Sequence, residues 1–204
     1  KKENEIINIV IQLSDEQKNI VKKINIQGNT ITEEKVIRDN LVLSEGDYVN
    51  QLKIKRSIDN VKATQIFGKV DYKIEDSDAK NFKDLNLFVK EQATGSISAG
   101  VGYGTNGGLL EASINEKNFL GQGINLNFTG RLSSEAVRGE VFYADPNFKN
   151  SNKELAASLF SEVDDYTNSG YQNKKIGTRL ATKYEIYEDF FFRPNIGAQY
   201  DKLD

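Results

Sequence analysis

Residues 95–104 read GSISAGVGYG, and this stretch decides the fold of the second half of the chain. Its apolar residues occupy every second position, and the positions between them hold only serine and glycine. A period of two is typical of a β-strand whose two faces meet different surroundings. The apolar face consists of Ile97, Ala99, Val101 and Tyr103, and the opposite face of Ser96, Ser98, Gly100 and Gly102.

The same alternation continues downstream in six further segments of about 8 to 12 residues, separated by turn residues. We therefore predict seven antiparallel strands after residue 93, each with one apolar and one polar face. Periodicity alone favours a soluble β-sandwich over a membrane barrel, because sandwiches show the same alternation. The predicted apolar face includes Leu110, Leu126, Phe128, Val141 and Leu180.

Three features favour a transmembrane barrel instead. The polar faces carry long charged side chains such as Arg138 and Arg179, which suit a wet lumen. Aromatic residues collect at strand ends, and short connections alternate with longer ones, as in outer-membrane barrels with short periplasmic turns. Seven strands cannot close such a barrel, so we expect the remaining strands beyond Asp204. On this interpretation the lipid-facing residues are Val101, Tyr103, Leu110, Leu126, Phe128, Val141 and Leu180.

The composition changes between Gln92 and Ala93. The first 92 residues contain 3 glycines and 5 aromatic residues, whereas the rest contains 13 glycines and 15 aromatic residues. A charged α+β module thus precedes a glycine-rich and aromatic-rich β-domain. We predict three units: the tail of a preceding module in residues 1–18, a complete domain in 19–92, and the β-domain in 93–204.

The predicted order of elements in residues 19–92 is strand, helix, helix, strand, strand. Thr30 and Thr32 are candidate N-caps of the first helix, and Asn50 is the candidate cap of the second. Residues 69–74 alternate as a strand after that second helix. The pattern predicts a two-layer α+β domain.

Several residue types are absent from the 204-residue chain, which has no Cys, His, Met or Trp. Disulfides, zinc sites with Cys or His ligands, and catalytic triads with histidine are therefore excluded. The missing methionine suggests a processed or excised piece of a longer protein. A net charge of -3 argues against general nucleic-acid binding. We predict no enzyme, no cofactor and no bound metal.

Short motifs in a fixed order carry a resemblance to a known family. The runs 24–30 (INIQGNT), 44–48 (SEGDY) and 65–70 (QIFGKV) resemble the strand, turn and second-helix signatures of a POTRA domain. The runs 95–105, 118–123 (NFLGQG) and 145–148 (DPNF) resemble the opening strands and turns of the barrel in the BamA family. The resemblance implies an α+β POTRA domain, β-α-α-β-β, followed by about seven of the sixteen strands of an incomplete antiparallel transmembrane β-barrel.

The resemblance also implies a function: folding and inserting β-barrel proteins into the bacterial outer membrane, with the POTRA domain in the periplasm. Implied partners are unfolded outer-membrane β-barrel proteins, accessory lipoproteins and outer-membrane lipids, and no nucleic acid. In the family the first barrel strand opens a lateral gate to which a client strand adds. Here the gate residues would be Gly95, Ser96, Ile97, Ser98, Ala99, Gly100, Val101 and Gly102.

Glycine weakens strand pairing, so this seam should open at low cost. The alternative is that these glycines only relieve crowding at a tightly curved wall. A second implied site is the free POTRA edge strand, for which the alternative is ordinary core packing. Its residues are Lys69, Val70, Asp71, Tyr72, Lys73 and Ile74.

Two other functions stay open at this point. The related two-partner secretion and TamA-type transporters share the POTRA and barrel architecture, and would move a specific protein across the outer membrane. The second alternative is a soluble fragment whose POTRA domain docks periplasmic proteins. We interpret 118–123 and 145–148 as turn chemistry without a direct role.

Overall fold

The computed structural model of the chain describes residues 19–104, 107–166, 169–187 and 190–204. The predicted tail of a preceding module, residues 1–18, lies outside the described residues. None of the described helices has the length and apolar character needed to cross a membrane.

The first domain follows the predicted order. Strand β1 (Ile20–Gln27) precedes helix α1 (Glu34–Arg38) and helix α2 (Gln51–Ala63), and strands β2 (Phe67–Asp76) and β3 (Phe82–Glu91) complete it. The sheet order is β1-β3-β2, with β1 parallel and β2 antiparallel to the central β3.

Helix packing in this domain follows from sequence spacing. Ile54, Ile58 and Val61 fall on one face of α2, and all three are buried with Ile37 of α1 and Leu87 of β3. The cluster of buried residues lies wholly within this domain: Val21, Ile24, Ile37, Leu43, Ile54, Ile58, Val61, Ile66, Phe67, Val70, Leu85, Leu87 and Val89. The domain therefore has a core of its own, independent of the residues that follow it.

The helix caps are partly as predicted. The side chain of Asn50 accepts hydrogen bonds from the backbone N–H groups of Leu52 and Lys53, and so caps α2. The prediction for α1 was wrong, because its N-cap is Glu33 and no side chain caps it. The hydroxyl of Thr32 is instead used in a contact with the second domain.

The second domain is an open antiparallel sheet. Its strands are β4 (Gly95–Gly104), β5 (Gly107–Phe119), β6 (Ile124–Ser133), β7 (Ala136–Asp145), β8 (Glu154–Tyr166), β9 (Tyr171–Tyr187), β10 (Phe190–Phe192) and β11 (Asn195–Leu203). They lie in the order β10-β9-β8-β7-β6-β5-β4, and β11 also pairs with β9. The described residues thus form the predicted α+β domain, β-α-α-β-β, followed by an open antiparallel sheet.

One detail of this sheet differs from prediction. The seventh predicted strand is split into β10 and β11 around Pro194, which has no N–H to donate to the ladder. The longer connections, 120–123 and 146–153, lie at the end of the sheet next to the first domain, and the short connection 134–135 lies at the opposite end.

Candidate functional site

Strand β4 lies at one edge of the eight-stranded sheet and contains all eight predicted gate residues. It pairs with β5 from Gly95 to Gly104, and no strand among the described residues pairs with its other side. All ten of its residues are exposed. A strand edge of this kind presents unpaired N–H and C=O groups to any incoming chain.

Among the described residues, nothing crowds three of the four glycines of β4. A Cβ atom added at Gly100 or Gly104 would have no heavy atom within 4 Å, and one at Gly102 would make only ordinary contact with Leu109. Only Gly95 is tight, at 3.0 Å from a carboxylate oxygen of Glu116. Both the gate interpretation and the crowding alternative for these glycines stay predictions.

The sheet of the first domain has one covered and one free edge. On β1, the N–H of Val21 donates to the carbonyl of Asp47, and its carbonyl accepts from the N–H of Gly46. The guanidinium of Arg38 donates to the carbonyl of Ile24 further along β1. In contrast, β2 pairs with β3 alone among the described strands, so β2 is the free edge.

The six residues predicted for that edge lie on β2 with different environments. Val70 is buried in the core and Ile74 packs partly against it, as the core-packing alternative requires. Tyr72 is exposed, and its hydroxyl donates to the side-chain oxygen of Gln51. Lys69 pairs with Asp71 at 2.7 Å, and Lys73 pairs with Glu75 at 2.6 Å. The strand thus combines a buried inner face with a charged outer one.

The strand register places all seven predicted lipid-facing residues on one face of the second sheet. Ile97, Ile114, Phe128, Val141 and Leu159 form a continuous row, since each is paired with the next. These side chains are strongly exposed, Ile97 by 81% and Leu159 by 62%. A single sheet layer offers them no core to pack against, so the apolar face needs an apolar surrounding.

The opposite face carries a row of charges that crosses the whole sheet. The register aligns Glu111, Arg131, Arg138, Glu162, Lys175 and Asp201 on consecutive strands from β5 to β11. Arg131 and Arg138 face each other directly. Their like charges are compensated, since Arg131 binds Glu111 at 2.8 Å and Arg138 binds both Glu162 at 2.5 Å and Asp164 at 2.9 Å.

A cavity of about 400 Å³ opens on this polar face between the charged side chains. Arg131, Arg138, Glu140 and Arg179 are among its lining residues. Among the described residues, no group of three or more carboxylates is placed to hold a metal ion. The polar face is therefore an ion-paired, water-compatible surface.

The turn at 118–123, to which we assigned no role, forms the contact between the domains. The side-chain amide of Asn118 donates to the hydroxyl of Thr32 at 2.9 Å, and its carbonyl oxygen accepts from the N–H of Gly123 at 2.8 Å. The carbonyl of Gly121 accepts from the N–H of Glu33 at 2.8 Å. Asn118 is buried, so these bonds are shielded from water.

Two glycines allow the close approach at this joint. A Cβ atom at Gly121 would lie 2.3 Å from the carbonyl oxygen of Ile31, and one at Gly123 would lie 3.0 Å from a methyl group of Val36. Both glycines have positive φ, of 76° and 67°. Any other residue would strain the backbone and push the turn away from the first domain.

On the other side of the joint, Glu91 holds the segment 30–32 in place. Its carboxylate accepts from the hydroxyl of Thr30 at 2.7 Å and from the N–H groups of Ile31 at 3.1 Å and Thr32 at 2.6 Å. Burial by itself would raise the pKa of Glu91, but the hydrogen bonds from Thr32, Thr30 and Ile31 outweigh burial and lower the pKa to about 2. Glu91 is thus a fixed anion beneath the segment that contacts the sheet.

Comparison with known proteins gives two family matches. Residues 19–92 match the POTRA family, described as a surface antigen variable number repeat, and residues 118–204 match the Omp85 superfamily domain. Among curated relatives, the outer membrane protein assembly factor BamA of Nitratidesulfovibrio vulgaris is 28% identical over 65% of this chain and 17% of its own length. BamA of Neisseria meningitidis is 24% identical over 88% of this chain and 23% of its own length.

Solved structures agree with these matches. A crystal structure of BamA from Haemophilus ducreyi that lacks POTRA domains 1-3 aligns with a TM-score of 0.79 and 25% identity, over 91% of this chain and 36% of that one. CdiB from Acinetobacter baumannii aligns with a TM-score of 0.61 and 16% identity, over 92% of this chain and 39% of that one, which shows a shared fold. The chain spans about a fifth of the length of the curated relatives that it matches.

Proposed function

Since this chain belongs to the Omp85 superfamily and carries a POTRA domain, we propose that it acts as an outer-membrane protein assembly factor. Relatives named as such factors are 24 to 29% identical to it. The activity is that of a non-enzymatic folding catalyst, which presents strand edges to clients and makes no covalent change in them.

The edge position of β4 among the described strands is the observation that carries this proposal. A client strand in extended conformation pairs with the backbone of β4, and so satisfies its own polar groups before it enters the hydrocarbon layer. Gly100 and Gly104 lie on the same face of β4 and leave that face of the edge without side-chain obstruction. The client strand then serves as the edge for the next strand, and the client sheet grows from the seam.

The free edge of β2 supports a second contact, made in the periplasm. An unfolded outer-membrane protein adds a strand beside β2, where the ion pairs at Lys69 and Lys73 leave the backbone edge accessible. Accessory lipoproteins of the assembly machinery use the same type of edge or the exposed helix surfaces. Holding a client here raises its concentration near the sheet.

The apolar face of the sheet supports the proposed location in the outer membrane. The row from Ile97 to Leu159 contacts lipid, while the charged row from Glu111 to Asp201 faces the water-filled interior. The opposed faces fit a barrel wall, which needs one apolar and one wet surface.

A cysteine crosslinking experiment with the full-length protein tests the edge. The 204 residues contain no cysteine, so Ser98→Cys provides a unique thiol on β4. During client assembly in proteoliposomes, Ser98→Cys should form a disulfide with a cysteine in the client's terminal strand. Thr129→Cys, in β6 with a partner on each side, is the matched control and should not crosslink. Equal crosslinking at both positions, or none at β4, would contradict strand templating at this edge.

A transporter of the two-partner secretion or TamA type is the second candidate. The fold shared with CdiB and the cavity on the polar face favour it. In that case the interior surface contacts the exported protein, so Glu140→Lys, which changes a residue lining the cavity, should impair secretion of that one protein. In a transporter, Ser98→Cys on β4 should form no crosslink with a client strand. In an assembly factor, Ser98→Cys should crosslink to the client and Glu140→Lys should leave secretion unchanged. Blocking β4 should then reduce the amounts of many barrel proteins in the outer membrane.

A further inference from the structure

We infer that the ion pair between Arg38 and Glu45 closes the β1 edge of the POTRA domain to strand addition, because its two side chains stand in for the backbone of a neighbouring strand. A client strand that adds to this sheet is then confined to the β2 edge. The closure of β1 follows from hydrogen bonds in the domain, whereas its consequence for clients rests on the proposed function.

The ion pair occupies the backbone polar groups of Ile24, near the middle of β1. A residue on the outer side of a strand directs its N–H and its C=O toward the same neighbour, and an added strand bonds to both. The N–H of Ile24 donates to the carboxylate of Glu45 at 3.0 Å, and its carbonyl accepts from the guanidinium of Arg38 at 2.9 Å. The pair thus supplies one acceptor and one donor in the places where a strand residue would supply them.

The guanidinium of Arg38 is held in place by several partners at once. Its Nε donates to the carboxylate of Glu34, one turn earlier on α1, at 2.7 Å. Its Nη2 donates to the carbonyl of Ile24, and its Nη1 lies 3.7 Å from the carboxylate of Glu45. Because one N–H binds the helix and another binds the strand, the side chain has little freedom to leave the β1 edge.

The rest of the β1 edge is covered or too short to hold a strand. Val21 already bonds through both its N–H and its carbonyl to the backbone of the loop 46–47. The register against β3 shifts between Val21 and Lys23, so Val21 and Ile24 both face outward. After Ile24, alternation turns only Ile26 in the same direction before β1 ends. A single outward residue is less than the shortest ordinary strand needs.

The ion pairs on β2 are arranged differently. Lys69 binds Asp71 and Lys73 binds Glu75, so these charges bond along the strand from side chain to side chain. The pair on β1 instead bonds across to the backbone of the strand. An uncovered strand edge pairs with any extended chain, and a sheet with two such edges would bind a client in two orientations. Closure of β1 therefore selects one of them.

A crosslinking experiment with a cysteine-free form of the full-length protein in detergent micelles tests this closure. The probe is a synthetic peptide of alternating valine and threonine, with a lysine at each end and a single central cysteine. Lys23→Cys reports on β1, where the side chain is exposed. It should form no disulfide with the probe while the ion pair is intact, and should form one when Arg38→Ala and Glu45→Ala are combined. A disulfide with the pair intact, or none without the pair, would overturn the inference.

Two further variants show whether hydrogen bonding is the cause. Lys35→Ala combined with Asp39→Ala is the matched control, because it removes a second ion pair at α1, with a distance of 3.9 Å, and should leave β1 closed. Glu45→Gln keeps an oxygen that accepts from the N–H of Ile24 but removes the charge, so it should also leave β1 closed. Crosslinking in Glu45→Gln equal to that in the double alanine variant would contradict the inference, since charge alone would then close the edge.

Glu45→Ala alone is a milder variant in case the double alanine variant fails to fold. It frees the N–H of Ile24, so hydrogen exchange of that amide should become about 5- to 30-fold faster. The amide of Leu87, a buried residue of the central strand, should keep its protection and so report that the domain is folded. Unchanged exchange at Ile24 would contradict the bond to Glu45.

A cysteine on β2 separates this inference from the proposed function. Lys73→Cys should crosslink to the same probe with or without the ion pair, because β2 is the proposed client edge. Absence of that crosslink would count against the proposed function alone. The closure of β1 is decided only by whether the crosslink at Lys23→Cys depends on Arg38 and Glu45.

Discussion

The side-chain amide of Asn118 donates a hydrogen bond of 2.9 Å to the hydroxyl of Thr32, and both residues are buried. The bond joins the two domains, and the two bonded residues lie 86 positions apart in the chain. The bond uses the hydroxyl of Thr32, which the sequence predicted to be an N-cap of α1. A turn at the end of β5 thereby becomes part of the POTRA surface.

Loss of this bond should loosen the joint locally. In Asn118→Ala the N–H of Gly123 loses its acceptor and Thr32 loses its donor, at a cost of about 1–2 kcal/mol, or about 5- to 30-fold faster exchange of local amides. Hydrogen exchange at Gly123 and Glu33 measures this directly. Asn25→Ala, which removes an exposed side-chain bond to Asn86, is the control and should leave both amides protected. Unchanged exchange in Asn118→Ala would contradict the assigned role.

Glu91 should make the POTRA domain sensitive to acid. Its pKa is about 2 in the folded domain, against an ordinary value of 4.5. A lowered pKa means that the ionised carboxylate stabilises the fold above pH 4.5, and that this contribution is lost as the pH falls through 2. Urea unfolding of residues 19–92, which hold a complete core, should show stability falling across that window, and Glu91→Gln should flatten the fall.

Glu75→Gln is the control for that experiment. The pKa of Glu75 is also lowered, through a hydrogen bond and charge attraction from Lys73, but its side chain is about half exposed, at 48%. Concentrated salt should abolish the effect of Glu75 on the pH profile and preserve that of Glu91. If Glu91→Gln showed the same dependence of stability on pH as the wild type, the hydrogen bonds to Glu91 would not be the cause of the acid sensitivity.

The two faces of β6 should respond oppositely to a charge. Phe128 lies on the apolar face and its neighbour Asn127 on the polar one. Phe128→Lys should destabilise the folded protein in lipid by about 2–4 kcal/mol, because the ammonium group enters the hydrocarbon layer. Asn127→Lys should be close to neutral. Denaturant titrations of both variants in vesicles measure the free energy of unfolding. Equal losses of stability in the two variants would contradict the assignment of the lipid face.

The ion pairs on the polar face should differ in strength. The side chains of Arg131 and Glu111 are 44% and 39% exposed, so a double-mutant cycle should give a coupling energy of about 0.2–1 kcal/mol. Arg138 binds Asp164, whose side chain is only 12% exposed. Removal of Arg138 leaves that carboxylate without its partner, so the coupling should exceed that of the first pair. An equal or smaller coupling energy for Arg138 and Asp164 would contradict this prediction.

Local patterns in the sequence predicted most of the fold. The period of two assigned each strand residue to a face, since a strand directs successive side chains to opposite sides whatever its partners are. The spacing of Ile54, Ile58 and Val61 likewise predicted the buried face of α2, and the chemistry of Asn50 predicted its cap. The role of β4 as a gate stays a prediction; the structure gives its position at one edge of the described sheet.

The tertiary structure alone decided which surfaces meet. In sequence, NFLGQG is an ordinary turn, and nothing local shows that Gly121 must admit the carbonyl of Ile31 or that Thr32 will bind Asn118 rather than cap α1. These contacts join residues more than 85 positions apart, and their strength comes from the exclusion of water once the domains have docked. Side-chain direction is a local property of the backbone and can be predicted residue by residue. Docking depends on the relative placement of two folded surfaces, and no short stretch of sequence contains it.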